Sequence, residues 1–242
     1  LALLGFSEIF TYAFRKSGKV ELANPMAEGI NFLRDNLTDG MQEALVFNAR
    51  NAPLLGLDEI LMFEIGTVFL SVDEEETRIS LGVSVTKSMK QAKKDAREQE
   101  LLLTAKSALE TALGTKLVWA EKGGVAECML PVSVGASYEP LIAYFAGAPY
   151  RRISAYPFML RDIAMWANAG VSQEVIIKII RTEGGALLVR DRLFDVFTKD
   201  EKTSYAFNLV FQSPERTLSD IEINEVMARI TAKLAGAGLE VR

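Results

Sequence analysis

Hydrophobic and polar residues alternate most regularly near the C-terminal end of the chain. Between residues 204 and 212 every second side chain is large and apolar, which predicts a β-strand with one buried face. Between residues 219 and 237 apolar side chains recur every three or four positions, which predicts an amphipathic helix packed on that strand. The apolar positions are Tyr205, Phe207, Leu209 and Phe211 on the strand and Ile223, Val226, Met227, Ile230 and Leu234 on the helix.

The same kind of pattern extends over about the last 90 residues. Ser172 and the Gly184-Gly185 pair delimit a first helix, and Ser219 with Glu222 forms a capping box for the second. The predicted elements are a strand at 161–168, a helix at 172–185, strands at 187–197 and 204–212, a helix at 219–237 and a strand at 239–242. This order predicts a ferredoxin-like βαββαβ sandwich.

The preceding part of the chain predicts an antiparallel sheet with flanking helices. Thr38 is the expected N-cap of a helix over 39–51 that ends before Pro53, and the central strand 59–70 is expected to be broken or bulged at Gly66. The other expected elements are strands at 7–14, 20–25 and 77–85, a helix carrying Leu102, Ala105, Leu109 and Leu113, and short strands near 117 and at 126–130. The fold class is therefore α+β.

Two prolines, a glycine and an arginine pair between 147 and 158 predict a domain boundary there. We therefore expect a first domain over 1–149 and a second over 150–242. The chain begins with Leu1 inside an apolar stretch, and we expect it to be a fragment of a longer polypeptide.

Composition excludes several kinds of chemistry. The sequence contains no histidine, which rules out a histidine-containing catalytic triad and histidine zinc ligands. Its single cysteine, Cys128, excludes an intrachain disulfide and sits in an apolar context that predicts an inert buried thiol. No apolar run approaches the roughly 20 residues that span a bilayer and no leader is evident, so we expect a cytoplasmic protein without a metal site.

Charge is distributed unevenly along the chain. Residues 1–149 carry 14 Lys and Arg against 20 Asp and Glu, whereas residues 150–242 carry 13 against 12. The lysines between 87 and 94 are followed at once by acidic residues, which favours a solvated helix start. Only the second half of the chain has a charge balance that suits binding to a polyanion such as RNA. Because its balance is only +1, we expect any RNA contact to be one of several within a larger assembly.

The predicted strand at 204–212 has a second face, formed by Ala206, Asn208, Val210 and Gln212. If helices cover the aromatic face, this second face is open. Open sheet faces bind single-stranded RNA through stacking and base-edge hydrogen bonds. We expect the aromatic residues of this strand to lie in the core and not to act as stacking platforms.

Several motifs occur in the order typical of one known domain. Pro157, Arg161, Asp162 and Ile163 are followed by the strand end 194–197, a turn with Lys202, and the connection 212–220, which reads QSPERTLSD. This part of the chain resembles the C-terminal anticodon-binding domain of the bacterial phenylalanyl-tRNA synthetase β-subunit. The LEVR ending is similar to the C-terminus of that family.

A second resemblance covers the first half. ELANP, FLRDNLTDGMQEAL and LMFEIGTVF are similar to the class II synthetase-like module of the same subunit. In a catalytic class II domain the last of these strands delivers an arginine to ATP. Here Leu70, Ser71 and Val72 follow Phe69, so the resemblance implies an inactive scaffold. Residues 131–150 lack the Gly-x-x-Gly and His-Pro turn of the family.

The resemblance implies a subunit of phenylalanine-tRNA ligase. The expected partners are the α-subunit, a second αβ heterodimer and tRNA(Phe), while ATP and Mg²⁺ are expected for the holoenzyme and no cofactor for this chain. Amino-acid editing would lie in an upstream domain. The residues expected to contact RNA are Arg152, Arg161, Arg192, Lys199, Asn208, Gln212 and Arg216. Two alternatives remain open, an amino-acid-sensing ferredoxin-like module and a pure assembly module without RNA binding.

Overall fold

The structure is a computed structural model. It describes residues 1–25, 27–87, 89–131, 153–168, 170–199 and 202–242. The chain divides into two compact units, Leu1–Pro140 and Leu141–Arg242. The predicted boundary between residues 149 and 150 lies outside the described residues.

The first unit contains a five-stranded sheet, a small three-stranded sheet and two long helices in its described part. The strands are β1 (Ser7–Glu8), β2 (Phe14–Arg15), β3 (Val20–Glu21), β4 (Phe32–Leu33), β5 (Glu59–Phe69), β6 (Glu75–Val85), β7 (Ala120–Lys122) and β8 (Val125–Met129), and the helices are α1 (Thr38–Leu55) and α2 (Gln91–Leu113). The larger sheet has the order β1-β5-β6-β8-β7, and the smaller one the order β2-β4-β3. All pairings are antiparallel except that of β1 with β5, which is parallel.

The two helices pack on opposite faces of the larger sheet. Ile79 and Leu81 of β6 share a core cluster with Leu102 of α2. Gly82, which follows Leu81, faces Met41 of α1 instead. This alternation follows from the strand's period of two residues.

Several predicted details of this unit are wrong. The strand expected over 7–14 exists only at its ends, in β1 and β2, because Thr11 between them bonds to the side chain of Glu64. Helix α1 does not end before Pro53 but includes it, and Gly56 in the left-handed conformation ends the helix. The strand β5 pairs with β6 without interruption at Gly66.

The second unit is a two-layer sandwich. Its elements are β9 (Met159–Asn168), α3 (Gln173–Gly184), β10 (Leu188–Lys199), β11 (Lys202–Phe211), α4 (Asp220–Gly236) and β12 (Glu240–Val241). The sheet is antiparallel with the order β10-β11-β9-β12. Both helices contribute to a single core cluster with one face of this sheet. This confirms the predicted ferredoxin-like arrangement.

The hydrophobic pattern of this unit is confirmed in detail. Phe207, Leu209 and Phe211 are fully buried, and Tyr205 packs against the same cluster. The α4 stripe is buried as well, and the Ser219 hydroxyl accepts a hydrogen bond from the Glu222 N–H at 3.3 Å. The aromatic side chains of β11 therefore belong to the core.

Candidate nucleic-acid interface

The face of the second sheet that points away from α3 and α4 is here called the open face. Its residues follow from strand register, because directly paired residues project to the same side of a sheet. The three central rows of the open face, read from β9 through β11 to β10, are Trp166–Ser204–Phe197, Ala164–Ala206–Asp195 and Asp162–Asn208–Arg192. We call them the aromatic row, the alanine row and the amide row.

The aromatic row presents two rings across three strands. The centroids of Trp166 and Phe197 are 6.2 Å apart and the rings meet at 63°, an edge-to-face contact. Ser204 lies between them on β11, and its small side chain leaves the rings room to meet. Phe197 is 54% exposed. Such exposed rings on a sheet are suitable platforms for unpaired bases.

A β-bulge at Phe194 brings Phe197 to the open face. Leu193 pairs with Phe207, but Asp195 pairs with Ala206, so Phe194 is an extra residue in β10. Without this shift, strict alternation would turn Phe197 towards the helices. Bulges commonly re-aim side chains in this way.

The amide row lies on the other side of the alanine row. The Asn208 amide donates a hydrogen bond to the Asp162 carboxylate at 2.7 Å. Arg192 is paired directly with Asn208 in the register and is partly buried. The alanine row, in which Ala164 and Ala206 carry small side chains, separates these polar groups from the aromatic rings.

The open face is closed at the far end of β11. Val210 is fully buried, in contrast to the expectation that this whole face is accessible. The segment before β9 is tied to this end, since the Gln212 amide donates to the Tyr156 carbonyl at 2.7 Å and the Ser154 hydroxyl donates to the Ser213 carbonyl at 2.7 Å.

The structure distributes the predicted RNA-contact residues over several places. Arg192 and Asn208 lie on the open face, and the exposed Lys199 lies at the hairpin end of β10. Gln212 follows β11 and is engaged with the segment before β9. Arg152 lies outside the described residues.

Two of the predicted arginines are held by acidic partners. Arg161 pairs with Leu209, which places it on the helix-covered face, and it donates to Asp220 at 2.6 Å. Arg216, in the loop before α4, forms two hydrogen bonds to the carboxylate of Glu222 at 2.8 and 2.5 Å. This ion pair is the largest cause that lowers the pKa of Glu222, and it raises the pKa of Arg216.

Sequence reasoning missed Trp166 and Phe197. The alternation in β9 contains the signal for Trp166, because Ile163, Met165 and Ala167 are buried and the residues between them point the other way. No comparable signal exists for Phe197, since the bulge that exposes it is not visible in the sequence pattern.

Motif residues of the first unit form a buried hydrogen-bond network. Arg34 donates to the Glu64 carboxylate at 2.7 Å and to the Thr67 carbonyl at 2.8 Å. Glu64 also accepts from the Thr11 N–H and hydroxyl, at 3.0 and 2.7 Å. A Cβ atom on Gly66 would lie 2.2 Å from Nη2 of Arg34. The glycine is therefore required for space, and it does not mark a bulge.

A second buried carboxylate caps α1. Glu127 of β8 accepts hydrogen bonds from the N–H groups of Leu37 and Thr38, at 3.0 and 2.8 Å, and from the Thr38 hydroxyl at 2.6 Å. Arg78 donates to its other oxygen at 3.1 Å. The N-cap position is Leu37, so Thr38 is not the N-cap that the sequence suggested. The charge of Glu127 stabilises the first turn of α1.

The arginines and glutamates of these buried networks are engaged with one another. Arg34 is engaged by Glu64, and Arg78 by Glu127 and Glu76. Met41 and Leu45 of α1 fill the space beside Gly82 on the same sheet face. The guanidinium groups of Arg34 and Arg78 are therefore neutralised by carboxylates of the same unit.

Two other absences hold for the described part of the chain. It contains no group of three or more Cys, Asp or Glu side chains arranged to hold a metal ion. It also contains no helix with the length and hydropathy needed to cross a bilayer.

Cys128 is buried as predicted, and burial raises the pKa of its thiol to about 11.

Comparison with known protein families first defines the class of the second unit. The family model of the ferredoxin-fold anticodon binding domain matches residues 154–242. The open face thus belongs to a domain of the anticodon-binding type.

The match to the first unit shows which family the chain belongs to. The family model of the phenylalanyl tRNA synthetase beta chain CLM domain matches residues 1–121, half of the 242-residue chain. The chain belongs to the phenylalanyl-tRNA synthetase β-chain family.

Curated relatives agree with this assignment. The phenylalanine–tRNA ligase beta subunit of Bacillus subtilis is 25% identical over 92% of this chain and 33% of its own length. That of Streptococcus pneumoniae is 27% identical over 95% of this chain and 35% of its own length. That of Symbiobacterium thermophilum is 32% identical over 44% of this chain and 12% of its own length. The chain therefore spans about a third or less of the curated relatives it matches.

Proposed function

We propose that the second unit binds the anticodon loop of tRNA(Phe) on its open face, as part of the β-subunit of a cytoplasmic phenylalanine-tRNA ligase. The observation that carries this proposal is the aromatic row, in which the exposed Phe197 meets the partly buried Trp166 beside polar groups. The match to an anticodon binding domain over residues 154–242 supports it.

The recognition chemistry follows from the three rows. An unpaired base stacks on the exposed ring of Phe197, which contributes about 1–3 kcal/mol per base. Its edge lies over the alanine row, within reach of the Asn208 amide and the Asp195 carboxylate on the same face. Lys199, which is exposed at the hairpin end of β10, neutralises a phosphate of the RNA backbone. Selection on this surface is a matter of position and hydrogen bonding, and no covalent step occurs there.

The first unit acts in this proposal as a non-catalytic, class II synthetase-like scaffold. Arg34 and Arg78 are both held in ion pairs, so neither offers a free guanidinium to a phosphate. Helix α1 exposes Val46 and Phe47, 54% and 67% accessible, which suits packing against another subunit. We assign this surface to the α-subunit, within an assembly of two αβ heterodimers in which the α-subunits use ATP and Mg²⁺.

The RNA-binding proposal is tested by titrating the 242-residue chain into labelled tRNA(Phe) at low salt. A matched transcript with a replaced anticodon loop serves as the control. We expect tighter binding to the native transcript and a steep loss of affinity as salt rises. Equal binding of both transcripts would contradict anticodon recognition. No binding at low salt would favour a pure assembly module, and thermal stabilisation by phenylalanine but not by tRNA would favour an amino-acid sensor.

The scaffold proposal has its own test. Phe47→Asp places a charge on the exposed face of α1. The first unit does not bury this side chain, so its fold should tolerate the change. We expect this variant to lose retention of the α-subunit in a pull-down, while Leu103→Asp, at a 64% exposed position on α2, retains it. Unchanged retention by the Phe47 variant would contradict the assignment.

A further inference from the structure

The guanidinium of Arg242 lies over the ring of Trp166, with its central carbon 4.6 Å from the ring centroid. We propose that Arg242 is a phosphate contact, which anchors the RNA backbone beside the base that stacks on the aromatic row. The inference rests on the proposed function and adds a residue that the sequence did not single out.

The main chain around Arg242 is held in place. Its N–H donates to the Ala164 carbonyl at 2.9 Å, which extends the pairing of β12 with β9. Leu239 is buried, and Val241 packs against the core cluster. The side chain of Arg242 is therefore delivered to the open face by a strand that is anchored through its pairing with β9 and through Leu239 and Val241.

The stacking contact leaves the donors of Arg242 available. A guanidinium on an aromatic face interacts through its charge and its plane, and its five N–H groups remain able to reach other acceptors. Within the part of the chain that the structure describes, no side-chain or carbonyl oxygen accepts a hydrogen bond from this guanidinium. Glu240, the acidic residue of the same strand, is instead bonded to Lys202 at 3.3 Å.

The position of Arg242 fits a backbone contact better than a base contact. β12 is the edge strand next to β9, so Arg242 flanks the Trp166 end of the aromatic row. A base that stacks on the row keeps its sugar and phosphate outside the stack. The fork of donors on Arg242 can bind two oxygens of such a phosphate.

The test compares Arg242→Gln and Arg242→Lys with wild type in tRNA(Phe) titrations between 0.1 and 1 M salt. One lost phosphate contact lowers the slope of log affinity against log salt by about 0.7–0.9, which is a loss of about five- to eightfold at 0.1 M that fades towards 1 M. We expect this loss for Arg242→Gln and a largely retained slope for Arg242→Lys. Arg229→Gln, an exposed arginine on α4, is the matched control and is expected to bind like Arg242→Lys.

The possible outcomes distinguish the phosphate contact of Arg242 from the RNA-binding function of the second unit. If wild type binds tRNA and Arg242→Gln keeps both its affinity and its salt slope, the phosphate contact is wrong while the RNA-binding function stands. An equal loss in Arg242→Gln and Arg242→Lys would mean that Arg242 acts through stacking, which overturns the phosphate role. Failure of wild type to bind tRNA overturns the proposed function and the Arg242 contact with it.

Discussion

Trp166 and Phe197 lie on strands that are not neighbours, yet their rings meet edge to face with centroids 6.2 Å apart. The strand between them contributes Ser204 at this level, and the bulge at Phe194 sets the direction of Phe197. Backbone geometry thus holds the exposed ring of Phe197 against the partly buried ring of Trp166. Because the core does not use the ring of Phe197, it is available for a ligand.

The aromatic row predicts separable effects on binding and stability. We expect Phe197→Leu to weaken tRNA(Phe) binding by about 1–3 kcal/mol, the contribution of one stacked base. The free energy of unfolding should change by less than about 0.5 kcal/mol, because the ring is largely outside the core. Binding titration and urea denaturation measure the two quantities. Val196→Ala, on the neighbouring residue that pairs with Tyr205 on the other face, should leave affinity unchanged.

The close approach of Gly66 to Arg34 predicts a large cost for a single methyl group. Gly66→Ala places a Cβ 2.2 Å from Nη2 of Arg34 and forces the guanidinium away from Glu64. Glu64 is almost fully buried, so separating the pair should cost about 3–5 kcal/mol. Denaturant unfolding measures this. Gly236→Ala, where a Cβ meets nothing within 4 Å, should not destabilise the chain.

The cap of α1 by Glu127 predicts a charge-dependent contribution to stability. Glu127→Gln keeps the shape of the side chain but removes the negative charge of the carboxylate, which accepts hydrogen bonds from two N–H groups and one hydroxyl. We expect a loss of about 1.5–3 kcal/mol, as for hydrogen bonds to charged groups. The same measurement on Glu121→Gln, whose exposed carboxylate pairs with Lys106, should give less than about 1 kcal/mol. Equal losses in the two variants would contradict the capping role.

The pair of Arg216 and Glu222 predicts a specific pH response. The pKa of the Glu222 carboxyl is lowered from its ordinary value of 4.5, first by the hydrogen bonds from Arg216 and also by the Ser219 N–H. A carboxyl with a depressed folded-state pKa contributes stability above its unfolded pKa and loses it as pH falls through the folded value. Carboxyl NMR titration should show the pKa of Glu222 rising towards 4.5 in Arg216→Ala. An unchanged pKa would mean that Arg216 does not hold this carboxylate in solution.

The sequence pattern predicts those parts of the fold that depend on local periodicity. The buried stripe of α4 and the inward face of β11 follow from spacing alone. Gly66 was misread as a bulge because its true constraint is Arg34, 32 positions earlier in the chain. Thr38 was misread as a cap because the group that caps α1 is Glu127, 89 positions later.

The candidate site was predicted less completely than the fold. Alternation predicted Asn208 on the open face, whereas Arg192 was predicted only as an RNA contact, and the RNA contacts of both residues remain predictions. Phe197 was hidden because one inserted residue changes which face the rest of β10 presents. Arg161 was selected for its charge, but the sequence does not show that Asp220 of α4 engages it. Tertiary partners decide both cases, and a single sequence does not display them.

The central claim is that RNA binds the open face of the second unit, and the chain's two tryptophans allow a direct measurement. Trp166 lies in the aromatic row, whereas the indole N–H of Trp119 donates to Glu110 in the first unit. Adding an anticodon stem-loop RNA to the ¹⁵N-labelled chain should shift the Trp166 indole resonance and leave that of Trp119 in place. RNA binding that shifts only Trp119, or neither indole, would contradict the account.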